Sequence, residues 1–135
     1  MMKYALISLA LLSTSAFAGI AVVVHPSNNS ELDAAAINRI FTGKEKAFSN
    51  GNKVIPISQD SATGATGEFN EKVLNKTAAQ LKAYWSKLVF TGKGTPPKEV
   101  MNDQEVMQLI SSNPDTIGYV SSGAVDGSVK VVAEF

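Results

Sequence analysis

Five consecutive residues, Ile20-Ala21-Val22-Val23-Val24, constrain this chain more than any other stretch. All are apolar, and all but Ala21 are β-branched, which predicts a short strand without a polar face. A strand that offers neither face to water belongs at the centre of a sheet. It ends at His25-Pro26, because proline has no N–H to give to a ladder. The remaining chain must therefore supply both the neighbouring strands and the layers that cover them.

The elements that follow have the periodicity for that task. Ser30 is the expected N-cap of a first helix, with Asp33 three residues on. Leu32, Ala36, Ile37, Ile40 and Phe41 fall on one face of it, and Gly43 ends it. A polar loop over 44–52 contains the turn signal Asn50-Gly51. Val54, Ile55 and Ile57 form the next strand, over 53–58, expected near a sheet edge because Pro56 interrupts it. A helix over 65–75 carries a narrow stripe of Phe69, Val73 and Leu74. Thr77-Ala78-Ala79-Gln80 is a capping box. It opens a helix whose buried face is predicted to be Leu81, Tyr84, Trp85, Leu88 and Val89. Residues 94–98 read as a loop stiffened by Pro96-Pro97. Asn102 caps a further helix with Val106, Leu109 and Ile110 inward, stopped at Asn113-Pro114. Strands at 116–120 and 128–132 complete the order β-α-β-α-α-α-β-β. The fold class is α/β, a layered mixed sheet flanked by helices. Phe90-Thr91-Gly92-Lys93 repeats Phe41-Thr42-Gly43-Lys44, but the flanking segments do not match, so both read as glycine-capped helix ends.

Residues 1–18 have the pattern of a cleavable signal peptide: Lys3, an apolar run from Ala5 to Leu12, and Ala16-Phe17-Ala18 before the cut. Cleavage after Ala18 leaves one domain over 19–135 and a periplasmic or secreted location. The apolar run is shorter than the roughly 20 residues a membrane span needs, and nothing later in the chain resembles one. The 12 basic and 12 acidic residues balance, so no basic face is expected for nucleic acid. With no cysteine and one histidine, disulfides and thiolate metal sites are excluded and a His-based zinc site is not expected. Neither a metal nor another cofactor is predicted. No carboxylate, serine or histidine falls into a known catalytic spacing, and the chain is not read as an enzyme.

The candidate site is the stretch between the second strand and the helix after it, Ser58-Gln59-Asp60-Ser61-Ala62-Thr63-Gly64-Ala65-Thr66-Gly67. A helix start has unpaired N–H groups and a partial positive charge. Small residues there allow a small anion to approach those groups. The alternative is a Thr-capped helix after a loop. Asp60 either accepts a hydrogen bond from a protonated oxyanion or caps the loop, and the cap is the expected role. His25, just past the first strand, is a structural histidine or a residue at a ligand-binding rim.

Several segments together resemble the phosphate-binding proteins of ABC transporters. They are Ile-Phe-Thr-Gly-Lys within 37–51 with its later Asn-Gly, Val-Ile-Pro-Ile, the hydroxyl–glycine turn followed by Phe69, Trp85, and Asn-Pro-Asp-Thr-Ile-Gly-Tyr-Val at 113–120. They run in that family's order over most of residues 19–135. The resemblance implies one lobe of a two-lobed, type II periplasmic-binding-protein-like fold, closest to small exported single-lobe proteins. In the family the equivalent turn resembles Arg-x-x-x-Ser-Gly-Thr and grips phosphate. Counting back from Phe69, Thr63 stands at the serine, Gly64 at the glycine, Ala65 at the threonine and Gln59 at the arginine, while Thr66 offers a replacement hydroxyl.

The resemblance implies ligand contacts from Gln59, Thr63, Gly64, Ala65 and Thr66. About three charge-assisted hydrogen bonds of roughly 1.5–3 kcal/mol each, against an association cost of at least about 4 kcal/mol, leave near-millimolar affinity. The expected function is a weak phosphate or oxyanion module linked to transport or sensing. The second reading is a module for a protein partner, either another copy or a periplasmic or membrane protein, that has lost small-ligand binding.

Overall fold

In the computed structural model, which describes residues 19–135, β1 (Ile20–Val24) is buried at all five positions. The predicted signal peptide at 1–18 lies outside the described residues. β1 alternates between two cores. Ile20, Val22 and Val24 join Ile37, Phe41, Phe69 and Tyr119 on one side, and Ala21 and Val23 join Val106, Ile110 and Val120 on the other. Each fully buried aliphatic side chain of this kind contributes about 1.5–3 kcal/mol relative to exposure. This two-sided burial is what the unbroken apolar run requires.

The elements in order are β1, α1 (Ala34–Phe41), β2 (Ile55–Gln59), α2 (Gly64–Phe69), α3 (Ala78–Phe90), β3 (Lys98–Val100), α4 (Asp103–Ser112), β4 (Thr116–Ser121) and β5 (Lys130–Glu134). α2 runs directly into a π-helical turn, Asn70–Leu74, which ends at Asn75 in the left-handed region. The sheet order is β3-β2-β4-β1-β5. β2 pairs parallel with β3 and β4, and β1 pairs antiparallel with β4 and β5. The predicted mixed α/β class is the observed one. β3 begins at the last residue of the loop expected over 94–98 and adds a strand to the expected order. Its three residues carry too little pattern to announce a strand, and β2 supplies the pairing.

β2 lies near the sheet edge, as expected, with only the short β3 outside it. Ile55 N–H donates to Asp115 O on the β4 side, so the next residue, Pro56, turns its nitrogen towards β3. Pairing with β3 begins only at Ile57. Proline is tolerated because that stretch of β2 has no partner on that side. At α1 the cap is Asp33, whose Oδ1 accepts from Ala36 N at 2.8 Å, rather than Ser30. Ser30 is buried instead, its N–H given to Asn28 Oδ1 at 2.9 Å. β5 lies two residues later than the expected 128–132 strand.

The two Phe-Thr-Gly-Lys segments are matching helix ends. Lys44 N–H donates to Arg39 O and Gly43 N–H to Ile40 O; Lys93 N–H donates to Leu88 O and Gly92 N–H to Val89 O. These are Schellman caps, which need the left-handed φ that Gly43 (+75°) and Gly92 (+68°) supply. Their phenylalanines have opposite fates. Phe41 is in the core, whereas Phe90 is 92% exposed. The capping box that opens α3 is present as predicted. The helix's apolar face, however, is only half covered: no residue of α3 is fully buried, and Val89 is exposed.

Candidate functional site

The site begins where β2 leaves the sheet. Asp60 N–H still donates to Val100 O, continuing the ladder by one residue. Asp60 Oδ1 then accepts from Ala62 N at 2.8 Å, a side-chain turn that aspartate favours. Thr63 N–H donates to Asp60 O at 3.0 Å, and α2 starts. Asp60 therefore caps the loop.

Thr63 is the N-cap of α2: its Oγ1 accepts from Thr66 N at 3.2 Å and donates to Asp60 O at 3.0 Å. Thr63→Ala removes both bonds and the 2.9 Å contact between the Thr63 and Thr66 hydroxyls. We expect a loss of about 1 kcal/mol, a fall in melting temperature of roughly 3–6 °C for a domain of this size, with Thr63→Ser restoring most of it. A melting temperature unchanged in Thr63→Ala would show that the cap carries no stability.

Thr66 points inward. Its hydroxyl is buried, donates to Gln59 O at 3.1 Å and lies 2.8 Å from Tyr119 Oη. Tyr119 Oη also accepts from Gln59 N at 3.1 Å and lies 2.8 Å from Ser58 Oγ. One proton assignment satisfies every member: Ser58 and Gln59 N–H donate to the phenol, the phenol donates to Thr66, and Thr66 donates to Gln59 O. A buried tyrosine hydroxyl needs such partners. The network ties the loop to β4, the strand beside β1.

Gln59 is 2% exposed. Its Nε2 donates to Asp103 Oδ1 at 2.7 Å and to Tyr119 O at 2.8 Å. Asp103 Oδ1 also accepts from Ser121 N at 3.2 Å. The Gln59 amide thus joins the ends of β2 and β4 to the first turn of α4, and both its protons are engaged within the protein.

The sequence-selected residues therefore divide. Thr63, Gly64, Ala65 and Thr66 are consecutive at the helix start; Gln59 lies beneath them, on the sheet side. The Thr66 amide is capped. Among the described residues, the amides of Ser61, Gly64 and Ala65 have no hydrogen-bond partner. Gly64 is exposed, and a Cβ there would meet no atom within 4 Å. Glu68, an anion in the same helix, is paired with Lys72 at 3.3 Å. A small cavity of about 150 Å³ opens beside the loop between α2, α3 and Pro96-Pro97, and Ser61, Lys82 and Glu99 are among its lining residues.

Sequence reasoning missed Tyr119 and Asp103 as organisers of the loop. A phenol within the apolar strand 116–120 was the available signal for Tyr119, since burying it calls for a hydroxyl partner. Nothing local pointed to Asp103. His25 stands at the far end of the sheet: Val24 pairs with Ile117 at the start of β4, whereas Gln59 adjoins β4's other end. Its Nδ1 accepts from Ser27 N at 3.1 Å and bonds the Ser27 hydroxyl at 2.7 Å, so it shapes the turn after β1. Among the described residues no three His, Cys, Asp or Glu side chains cluster to hold a metal ion, and no helix is long and apolar enough to cross a membrane.

No protein-family model matches the sequence, and comparison with curated proteins finds no match. Solved structures do match its fold. An ABC-type phosphate transport receptor from Vibrio cholerae is similar over 84% of this chain and 45% of its own, with a TM-score of 0.64 and 19% identity. PstS from Borrelia burgdorferi is similar over 85% of this chain and 46% of its own, with a TM-score of 0.66 and 17% identity. The chain spans less than half the length of either. Its five-stranded mixed sheet and four α-helices are therefore the fold of a single domain resembling one part of the substrate-binding proteins of phosphate ABC transporters.

Proposed function

We propose that this chain is an exported solute-binding-like module that holds phosphate or a similar oxyanion weakly at the start of α2, in the service of transport or sensing. The observation that carries the reading is the pair of free amides at Gly64 and Ala65, in a domain whose fold is that of phosphate-binding proteins. On this reading Gly64 and Ala65 donate to the ligand, Ser61 adds an amide and a hydroxyl, and Lys82, which lines the cavity beside the loop, adds a positive charge. Thr63, Thr66 and Gln59 hold the loop in shape. Weak affinity follows from the donor set. Neutral amides contribute about 0.5–1.5 kcal/mol each in net terms, and Asp60 adds a repelling carboxylate. The dissociation constant is expected at about 1 mM or above.

Gly64→Pro tests this cleanly. Gly64 is the first residue of α2, where proline is well tolerated and its missing N–H costs the helix nothing. Thr63, with φ −75° and ψ 145°, already has the backbone a residue before proline adopts. The variant should be as stable as the parent or about 0.4–1 kcal/mol more so. Calorimetric titration with phosphate should show affinity about two- to tenfold lower, the loss of one amide hydrogen bond. In the parent chain, phosphate at ten times its dissociation constant should add about 1.4 kcal/mol of stability. Equal phosphate affinity in parent and Gly64→Pro, or no heat from either, rejects the anion reading.

A second reading, a protein-partner module without a small ligand, is supported by the internal engagement of Gln59 and Thr66 together with the 92% exposure of Phe90. A binding partner retained by Gly64→Pro and lost with Phe90→Glu favours it.

A further inference from the structure

We infer that the open groove between the C-terminal end of α3 and the loop leading into β2 is a docking surface for an acidic polypeptide segment of another protein, with an apolar side chain as its anchor. The groove encloses about 1080 Å³. Lys46, Lys53, Lys93 and Lys98 line it, all four exposed. Glu45 is the one carboxylate among the lining residues, and Arg39 holds it at 3.3 Å. Among the described residues, none of the four lysines is within ion-pair distance of a carboxylate.

The floor between the lysines is apolar. Trp85 and the 53% exposed Val89 contribute from α3, and Ile55 and Pro56 from β2. Trp85 is closely seated. A Cβ at Gly43 would come 3.0 Å from its Cη2, and one at Gly94 would come 3.4 Å from its Cζ3. Two glycines thus let the indole rest against both walls while remaining partly exposed. Lysines on a surface are most often a solvated face. Here they surround uncovered apolar surface, the arrangement of an interface with an apolar centre and a charged rim.

The overall charge balance conceals this asymmetry. Of the eleven basic residues after Lys3, ten lie between Arg39 and Lys98, a stretch that holds only four acidic residues. The groove belongs to that basic part of the chain, so the complementary occupant is acidic. A bilayer surface is flat and does not reach a concave floor. Single-stranded nucleic acid needs successive aromatic platforms, and Trp85 is the chain's only tryptophan. A two-fold dimer through this face would set lysine rim against lysine rim, which is repulsive. An extended segment with aspartates or glutamates flanking a large apolar residue satisfies both rim and floor. The groove shares no residue with the loop at 60–66, so the inference does not rest on anion binding there.

The test uses the chain over 19–135 and a displayed library of random peptides of roughly twelve residues, a length that extended-segment recognition can use. Selected peptides are expected to carry at least two acidic residues around an aromatic or aliphatic one. A synthetic copy of one should shift the emission of Trp85, the sole indole. The variant Lys46→Glu with Lys98→Glu, and separately Val89→Asp, should weaken it at least about tenfold. Lys87→Glu, an exposed α3 residue outside the groove, and Gly64→Pro should bind like the parent. Enrichment of peptides without acidic residues, binding indifferent to the groove variants, or no selected peptide at all overturns the inference. So does groove-dependent self-association in sedimentation, or groove-dependent uptake by anionic phosphatidylglycerol vesicles.

Discussion

Phe69→Ala is expected to destabilise the domain by about 3–5 kcal/mol, the range for emptying a fully buried aromatic site. Phe69 is 1% exposed. Its ring stacks on Tyr119 with centroids 4.0 Å apart and planes 9° from parallel, and it meets Phe41 edge-on at 4.8 Å. Each such aromatic pair adds about 0.5–1.5 kcal/mol beyond the area it buries. The three rings come from α1, α2 and β4, so the cavity opens where a helix pair meets the sheet, and close packing leaves little room for collapse. The loss is large beside the roughly 5–15 kcal/mol that holds a typical domain folded. Urea unfolding should show a lower midpoint at unchanged slope. Phe69→Leu, which keeps most of the volume, should lose less than about half as much.

A functional consequence accompanies that loss. The Tyr119 ring that stacks on Phe69 carries the hydroxyl that organises Ser58, Gln59 and Thr66. Loosening the ring loosens the loop, so Phe69→Ala and Thr66→Val should be coupled in a double-mutant cycle by at least about 0.5 kcal/mol. Additivity within about 0.3 kcal/mol would mean that the aromatic cluster and the loop are independent. A loss below about 1 kcal/mol in Phe69→Ala alone would remove the cluster from the centre of the fold's energetics.

What the sequence revealed depended on how local the physics was. β1 was legible because its whole signal lies in five consecutive apolar residues. The α3 capping box was legible because Thr77 and Gln80 satisfy each other's backbone within one turn. Both Schellman ends could be read from one glycine after a helical stretch. The α1 cap was not legible, because Ser30 and Asp33 are both cap-forming types. The tertiary burial of Ser30 beside Asn28 decided between them. Periodicity identified which face of α3 is apolar but not how deeply its neighbours cover it, so Val89 and Phe90 were assigned no surface role. β3 exists because β2 offers it an edge, which its own three residues do not encode. The helix start at Gly64 was visible as a run of small and hydroxyl residues. The direction in which Thr66 and Gln59 point was not, because it depends on Tyr119 and Asp103, which lie 53 and 44 residues further along the chain.

Gln59→Met separates a ligand contact from a structural clamp, and the expected result is a loss of about 2–4 kcal/mol in stability with phosphate affinity unchanged. Methionine keeps the length and much of the volume of glutamine but donates nothing. Tyr119 O would be left without the donor it now has at 2.8 Å, and Asp103 would keep only Ser121 N on Oδ1. A buried acceptor that loses its partner costs about 1–3 kcal/mol, and a hydrogen bond to a carboxylate is worth about 1.5–3. Partial rescue of Asp103 by Ser121 keeps the total below the sum of the upper limits. If Gln59 instead acts where the arginine of the resembling family stands, the pattern reverses. Stability would then hold, and the calorimetric signal for phosphate would weaken as it does in Gly64→Pro. Unfolding and titration of the same two variants therefore distinguish a residue that touches an anion from one that holds the loop's floor. The geometry favours the floor, because both Gln59 amide protons already point at oxygens of β4 and α4 and are not free to meet an anion above the loop.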